Sequence, residues 1–148
     1  MPFQPRVAIL VPSPDYTENW QPAFARKAAA LTGAGLIVEQ QVWTDPGALS
    51  GYDLILPLFA WGYQRDVATW YALLDRLEAE AMPVVNPVPV LRWNSDKAYL
   101  AELGAKGVAV VPTVDVGALD EGSLASARAK LGADDTVIKP AISGGADG

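Results

Sequence analysis

Residues 6–12 read RVAILVP, and this stretch decides the fold of the chain. It is apolar and rich in β-branched side chains, and a proline-rich turn follows it at once, so it predicts a short buried strand. Two further apolar runs, at residues 36–43 and 53–59, predict a second and a third strand. The run PVVN at residues 83–86 predicts a short fourth strand that two prolines close.

Helical patterns separate these strands. Residues 17–32 predict a helix with Thr17 as its N-cap. Residues 63–81 give the clearest pattern, because five apolar side chains at three- and four-residue spacing define one face: Val67, Trp70, Tyr71, Leu74 and Leu77. Strands that alternate with helices are typical of a parallel sheet covered on both faces. We therefore predict an α/β fold, with a small doubly wound parallel sheet in residues 1–92.

The pattern restarts after residue 92. A helix is predicted over residues 94–106, capped by Asn94 or Ser95, and another within residues 119–131. Residues 108–113 and 136–139 predict two strands. About 55 residues are too few for an independent core, so we expect residues 93–148 to be the beginning of a second domain.

Composition excludes several classes of function. The net charge is −6, and the 11 Lys and Arg residues are scattered, which argues against a nucleic-acid surface. No apolar run approaches the roughly 20 residues that span a bilayer, and no signal peptide is recognised, so we expect a cytoplasmic protein that does not bind membranes. The absence of His and Cys excludes a Ser-His-Asp triad, a thiolate nucleophile and an ordinary zinc site.

Two lysines stand in unusual settings. Lys97 lies in the first turn of the helix predicted over residues 94–106, where free amides and an ammonium group suit a phosphate. Lys139 follows two apolar residues of a predicted strand, where its charge needs an anion or a wet cleft. A glycine-rich loop, SGGADG at residues 143–148, follows. Each feature has a plain alternative: a solvated surface lysine, an edge-strand lysine that reaches water, and a flexible tail.

A second group of candidates follows the strands of the first part. Asp15 and Tyr16 come after the first strand, and Trp61 and Arg65 come after the third. The carboxyl ends of parallel strands are where such sheets bind ligands, and an arginine with aromatic neighbours suits a carboxylate. The alternative is ordinary packing at the start of a helix.

The lysine segments and the glycine loop together resemble the ATP-grasp superfamily, in particular its glutathione-synthetase-like and cyclo-ligase branch. The resemblance rests on residues 86–97 and 137–145 and concerns the N-terminal part of such enzymes. It implies a pre-ATP-grasp domain at 1–92 and the start of the ATP-grasp domain at 93–148. It also assigns five ATP-binding residues: Lys97, Lys139, Ser143, Gly144 and Gly145.

The same resemblance implies an activity. The parent protein is expected to be an ATP-dependent carboxylate–amine ligase that forms an acyl phosphate, with ATP and a small carboxylate or amine substrate as its partners. The family's magnesium ligands come after the glycine loop, so we assign no catalytic residue or metal ligand here and expect a truncated chain that is inactive by itself.

A second interpretation needs no role for either lysine. The alternating pattern also fits a non-catalytic doubly wound module that binds a small ligand or forms oligomers, and we leave homodimer formation open.

Overall fold

The computed structural model describes residues 3–143 and contains three strands and five α-helices in that range. The strands are β1 (Arg6–Val11), β2 (Ile37–Val42) and β3 (Leu54–Leu56). The helices are α1 (Gln21–Gly33), α2 (Val67–Ala79), α3 (Val88–Ser95), α4 (Tyr99–Ala105) and α5 (Glu121–Leu131). Within these residues, no helix combines the length and the apolar character needed to span a membrane.

The chain divides into two compact units, Met1–Arg92 and Trp93–Gly148, which we call the first and the second unit. The first unit holds the sheet. Its strand order is β2-β1-β3 and all pairs are parallel, with Arg6 opposite Ile37 and Val7 opposite Leu54.

Strand β1 is buried on both faces, as its continuous apolar run predicts. Val7, Ile9 and Val11 belong to a cluster that includes Phe24 of α1. Ala8 and Leu10 belong to a second cluster, with the buried face of α2: Trp70, Leu73, Leu74 and Leu77. The α/β fold with helices on both faces of a small parallel sheet is therefore confirmed.

The predicted fourth strand is reduced to one isolated parallel bridge, between Ile55 and Val84. Pro83 has no backbone N–H to donate, and Asn86 turns the chain through a left-handed conformation at φ 62°. Pro83 and Asn86 therefore limit the hydrogen-bonded pairing with β3 to the single bridge that lies between them.

Two helices of the first unit begin later than predicted. Helix α1 starts at Gln21, because Pro22 is tolerated only in the first turn, and Thr17 is therefore not its N-cap. Helix α2 starts after a single 3-10 turn at Tyr63–Arg65, and the Asp66 side chain caps it by accepting from Thr69 N at 3.1 Å.

The prediction of one helix over residues 94–106 is wrong. Instead, α3 ends at Ser95 and α4 begins at Tyr99, so Asn94 and Ser95 close one helix and cap none. The sequence pattern does not predict α3, because Pro87 and Pro89 are typical of a strand end. A proline in the first helical turn leaves no hydrogen bond unmade, so Pro89 is compatible with α3.

The two strands predicted in the second unit are absent from the described residues. Residues 108–113 and 136–139 run without sheet partners, and Val111 and Val137 are 77% and 81% exposed. A strand needs a hydrogen-bonded neighbour, and the apolar pattern that predicts these strands cannot supply one. Helix α5 is present, with a capping box between Asp120 and Ser123 and with Gly132 at its end.

Candidate functional site

Lys97 lies in the turn between α3 and α4 and contacts residues 140–143, which end at the first residue of the glycine loop. Its backbone N–H donates to Ala141 O at 2.8 Å. Its ammonium group donates to Ser143 O at 3.0 Å, to Pro140 O at 3.4 Å and to the Ser143 hydroxyl. Lys97 therefore holds together two segments of the chain that are 43 to 46 residues apart in sequence.

Lys139 belongs to the same site. Burial lowers the pKa of Lys97 below its usual 10.5, and the positive charge of Lys139 lowers that pKa further, against the opposing charge of Asp96. A partly buried ammonium group with a second positive charge nearby is a place where an anion would be favourable. The donor set of two lysines and a hydroxyl fits a phosphate group.

The local settings of both lysines differ from those predicted. Lys97 is not in the first turn of a helix: the Asp96 side chain accepts from Ala98 N at 2.9 Å and shapes a turn that precedes α4. Lys139 is exposed and lies on no strand. The structure still joins Lys97 to Ser143 and to Pro140, the residue that follows Lys139. Gly144 and Gly145 lie outside the described residues.

The four candidates of the first unit also come together. The Arg65 guanidinium carbon lies 5.0 Å from the centre of the Tyr16 ring, and the Tyr16 and Trp61 ring centres are 6.4 Å apart. A hydrogen bond from Ser13 lowers the pKa of Asp15 most, and the charge of Arg65 contributes. We call Asp15, Tyr16, Trp61 and Arg65 the aromatic–arginine cluster.

The aromatic–arginine cluster lies where the order of the sheet reverses. The chain passes from β1 to β2 on one side of β1, and then to β3 on the other. Ligands of open parallel sheets bind at such switch points, outside the carboxyl ends of the strands. The cluster follows β1 and β3 and is thus placed where this architecture binds small molecules.

Two residues that hold this cluster are not recognised from the sequence as structural supports. Gly62 is buried at φ 86°, and a Cβ there would meet Tyr16 Cδ2 at 3.0 Å, so only glycine lets the ring approach so closely. Trp43, a buried residue after β2, donates from Nε1 to Trp61 O at 3.0 Å. The position of Gly62 between two aromatic residues is the sequence feature that could have indicated its role. The role of Trp43 depends on a long-range contact, which no local sequence feature indicates.

A polar network closes the opposite end of the sheet. Arg6 pairs with Glu39 at 2.9 Å and lies over the Tyr52 ring, and Tyr52 donates to Glu39 at 2.8 Å. Each of these residues has its partners in the network, and we assign it a structural role. Among residues 3–143, no group of three or more acidic side chains is arranged to hold a metal ion.

Comparison with known proteins shows the family. The family described as the N-terminal domain of D-cycloserine synthetase DcsG matches residues 7–86. Cycloserine biosynthesis protein DcsG of Streptomyces lavendulae is 32% identical over 117 residues, which cover 75% of this chain and 38% of that protein. The crystal structure of D-cycloserine synthetase DcsG matches 84% of this chain and 42% of its own, with a TM-score of 0.71 and 23% identity.

This chain spans about two fifths of the length of those relatives. The structural match supports the fold of the chain, and the family match covers more than half of its residues, including the sheet except for Arg6. The chain therefore belongs to the family of the DcsG N-terminal domain.

Proposed function

We propose that this chain is the N-terminal portion of an ATP-dependent carboxylate–amine ligase of the ATP-grasp type. The relatives it matches are a cycloserine biosynthesis protein and a D-cycloserine synthetase. The observation that carries the proposal is the set of hydrogen bonds from the Lys97 ammonium group to Ser143 and to Pro140, the residue after Lys139. Lys97, Lys139 and Ser143 are three of the five residues that the resemblance assigns to ATP.

In this proposal, Lys97, Lys139 and Ser143 hold the phosphates of ATP, together with Gly144 and Gly145. Positive charges and a hydroxyl at this point stabilise the charge on a transferred phosphoryl group. Magnesium would supply further neutralisation of that charge when bound. The described residues offer no cluster of acidic ligands for it, so we place those ligands outside residues 3–143.

The aromatic–arginine cluster is proposed to hold the small substrate. Arg65 is exposed and can pair with a carboxylate, while Trp61, which is 38% exposed, offers an apolar surface beside it. Asp15 is exposed next to them, and its lowered pKa keeps it ionised at neutral pH, which suits an ammonium group. A small amino acid or a derivative of one carries both charges.

The test is ADP release by the full-length product of the gene, with Mg-ATP and a panel of small amino-acid substrates. We expect release that needs both ATP and a substrate, and that falls by at least two orders of magnitude in the Lys97→Ala/Lys139→Ala variant. Lys130→Ala, which removes an exposed lysine of α5, is the matched control and should keep full activity.

Two results would contradict the proposal. The first is no ADP release and no ATP binding with any substrate of the panel. The second is unchanged ATP affinity in the double lysine variant, because the non-catalytic module described above needs no role for either lysine.

A further inference from the structure

Strand β2 forms one edge of the sheet, and its outer side has no partner strand among residues 3–143. Ile37 N and Trp43 N donate to carbonyl oxygens of β1 and of the residue before it, at 2.9 and 3.0 Å, so the odd-numbered residues of β2 turn their backbone groups toward β1. The even-numbered residues turn theirs outward. Within residues 3–143, no hydrogen bond reaches the outward N–H and C=O groups of Val38 and Gln40, or the N–H of Val42. We call this side the outer edge of β2.

The outer edge of β2 lacks the features that usually keep an edge strand from pairing. Lysine, proline and bulges are the common protections. The sequence of β2 is IVEQQV, with no lysine and no proline. Its six residues pair with β1 in unbroken register, so no bulge twists the edge away. Its single charged residue, Glu39, pairs with Arg6 at 2.9 Å. The edge is therefore open to a further strand.

The sequence of β2 indicates which strand fits. Residues 38–42 read VEQQV, which is nearly the same in both directions around Gln40. When two identical strands pair antiparallel about a two-fold axis at Gln40, Val38 lies opposite Val42 of the second copy. Gln40 lies opposite its own equivalent, and Glu39 lies opposite Gln41, whose carboxamide can donate to a carboxylate. The strand is thus complementary to itself.

The same register matches the outward backbone groups. Even-numbered residues meet even-numbered residues in it, so Gln40 N–H of each copy donates to Gln40 O of the other. Val38 and Val42 of opposite copies exchange hydrogen bonds in the same way. Val42 O already accepts from Asp45 N at 3.1 Å, and its second lone pair remains for the Val38 N–H. All outward backbone groups of residues 38–42 then have a partner.

The neighbouring registers fit less well. A register centred on Glu39 keeps the backbone match but places two carboxylates opposite one another, which is destabilising. A register centred on Gln41 leaves only residues 40–42 paired within the strand. The register centred on Gln40 avoids both disadvantages.

We propose that the outer edge of β2 is a dimerisation surface, where two copies of this chain join their sheets through antiparallel pairing of residues 38–42. The two three-stranded sheets then form one continuous sheet. A contact made by one pair of strands is small, so the dimer is weak and forms as the concentration rises. It requires neither ATP nor the two lysines, and it is independent of the proposed function.

The experiment is sedimentation equilibrium of this chain from micromolar to near-millimolar concentration. The average mass should rise from that of one chain toward that of two. Over the same range, hydrogen exchange at the amides of Val38 and Gln40 should slow by roughly tenfold or more, because these N–H groups become hydrogen-bonded. The amide of Gln41, which faces β1, is the internal control and should exchange at a constant rate.

Charge variants at position 40 test the register. Gln40→Lys and Gln40→Glu each place like charges opposite one another, so each variant alone should be monomeric. An equimolar mixture of the two should form a heterodimer, because opposite charges then face one another across the axis. Gln40 is exposed, so both variants should fold, and circular dichroism checks this. Ala129→Lys, at an exposed position of α5, is the matched control and should leave the dimer intact.

Three results would overturn the proposal. The first is a monomer at every concentration, with exchange at Val38 and Gln40 unchanged. The second is a dimer that persists in Gln40→Lys, which would place the contact elsewhere. The third is a mixture of the two charge variants that stays monomeric, because residue 40 would then not face its own equivalent. The Lys97→Ala/Lys139→Ala variant should dimerise like the unchanged chain, so failure of the nucleotide site and failure of this interface give different results.

Discussion

Gly62 sets how closely Tyr16 approaches the loop after β3. Its φ of 86° is disfavoured for every other residue type, and a Cβ would meet the Tyr16 ring at 3.0 Å. Gly35 has nearly the same backbone angle, φ 90°, but a Cβ at that position would meet no atom within 4 Å. A comparison of the same substitution at both glycines therefore distinguishes the cost of backbone strain from the cost of a collision with the Tyr16 ring.

We predict that Gly62→Ala destabilises the protein more than Gly35→Ala does. Left-handed strain alone costs about 1–2 kcal/mol, which is the loss expected at position 35. Overpacking adds about 1–3 kcal/mol at position 62. Urea unfolding followed by tryptophan fluorescence measures both losses, and equal losses would show that the Tyr16 ring moves aside without cost.

Lys97 has a pKa below 10.5, chiefly because it is partly buried and in addition because Lys139 is positively charged. In the unfolded chain the lysine binds its proton more tightly, so stability should rise as the pH increases from the lowered pKa toward 10.5. Lys139→Ala removes one cause and should raise the pKa of Lys97. Amine reactivity as a function of pH, read by mass spectrometry at Lys97, measures the change, and an unmoved pKa would mean that the two charges do not interact.

At the scale of single elements, α2 illustrates how an apolar face fixes a helix on the sheet. Leu74 is fully buried in the cluster that also contains Leu10 and Ile55, whereas Leu58, after β3, is 41% exposed. Leu74→Ala should cost about 2–5 kcal/mol, because it leaves a cavity in a packed core.

The matched control for this prediction is Leu58→Ala, which deletes the same atoms from a side chain in contact with water. Thermal and urea unfolding of the two variants should rank Leu74→Ala as much the less stable. A small loss at Leu74 would mean that α2 readjusts on the sheet, contrary to a close-packed core.

Periodicity predicts the elements whose side chains face a sheet, such as β1 and α2, because burial imposes the spacing. It fails for residues 136–139, whose apolar side chains resemble a strand but have no neighbouring strand among the described residues. It also misses α3, since Pro89 is typical of a break in structure although a proline fits the first turn of a helix. Pairing partners and turn positions are not encoded in local spacing.

The candidate site shows a similar limit at the same scale. The meeting of Tyr16 with Arg65 is predictable, because parallel strands bring the loops after β1 and β3 to one edge. Gly62 supports the cluster through its left-handed backbone angle. Trp43 supports it through a hydrogen bond to Trp61, which is 18 residues away in sequence. Neither can be read from the local pattern.

At the scale of the whole molecule, the two units differ in their cores. Both clusters of buried apolar residues in the described chain lie at or before Leu91. In residues 93–143, Ser95 and Ala127 are buried, and large apolar side chains such as Val111 and Val137 are exposed. The first unit is therefore expected to hold most of the folding free energy.

Amide hydrogen exchange should reveal this difference. The amides of β1 and β3 should exchange slowest, while those of α4 and α5 should exchange faster by orders of magnitude, because local opening there exposes little apolar surface. Limited proteolysis should accordingly cut the second unit first. Uniform protection across both units would contradict this account.

The most direct test of the central claim is an NMR titration of this chain with Mg-ATP, following the backbone amides of Lys97, Ala141 and Ser143. The account predicts a saturable shift of these signals, even at weak affinity, and its loss in the Lys97→Ala/Lys139→Ala variant, while the amides of Arg6 and Glu39 stay in place. No shift at these residues at millimolar Mg-ATP, or an unchanged response in the double variant, would contradict the assignment of a phosphate site to the two lysines.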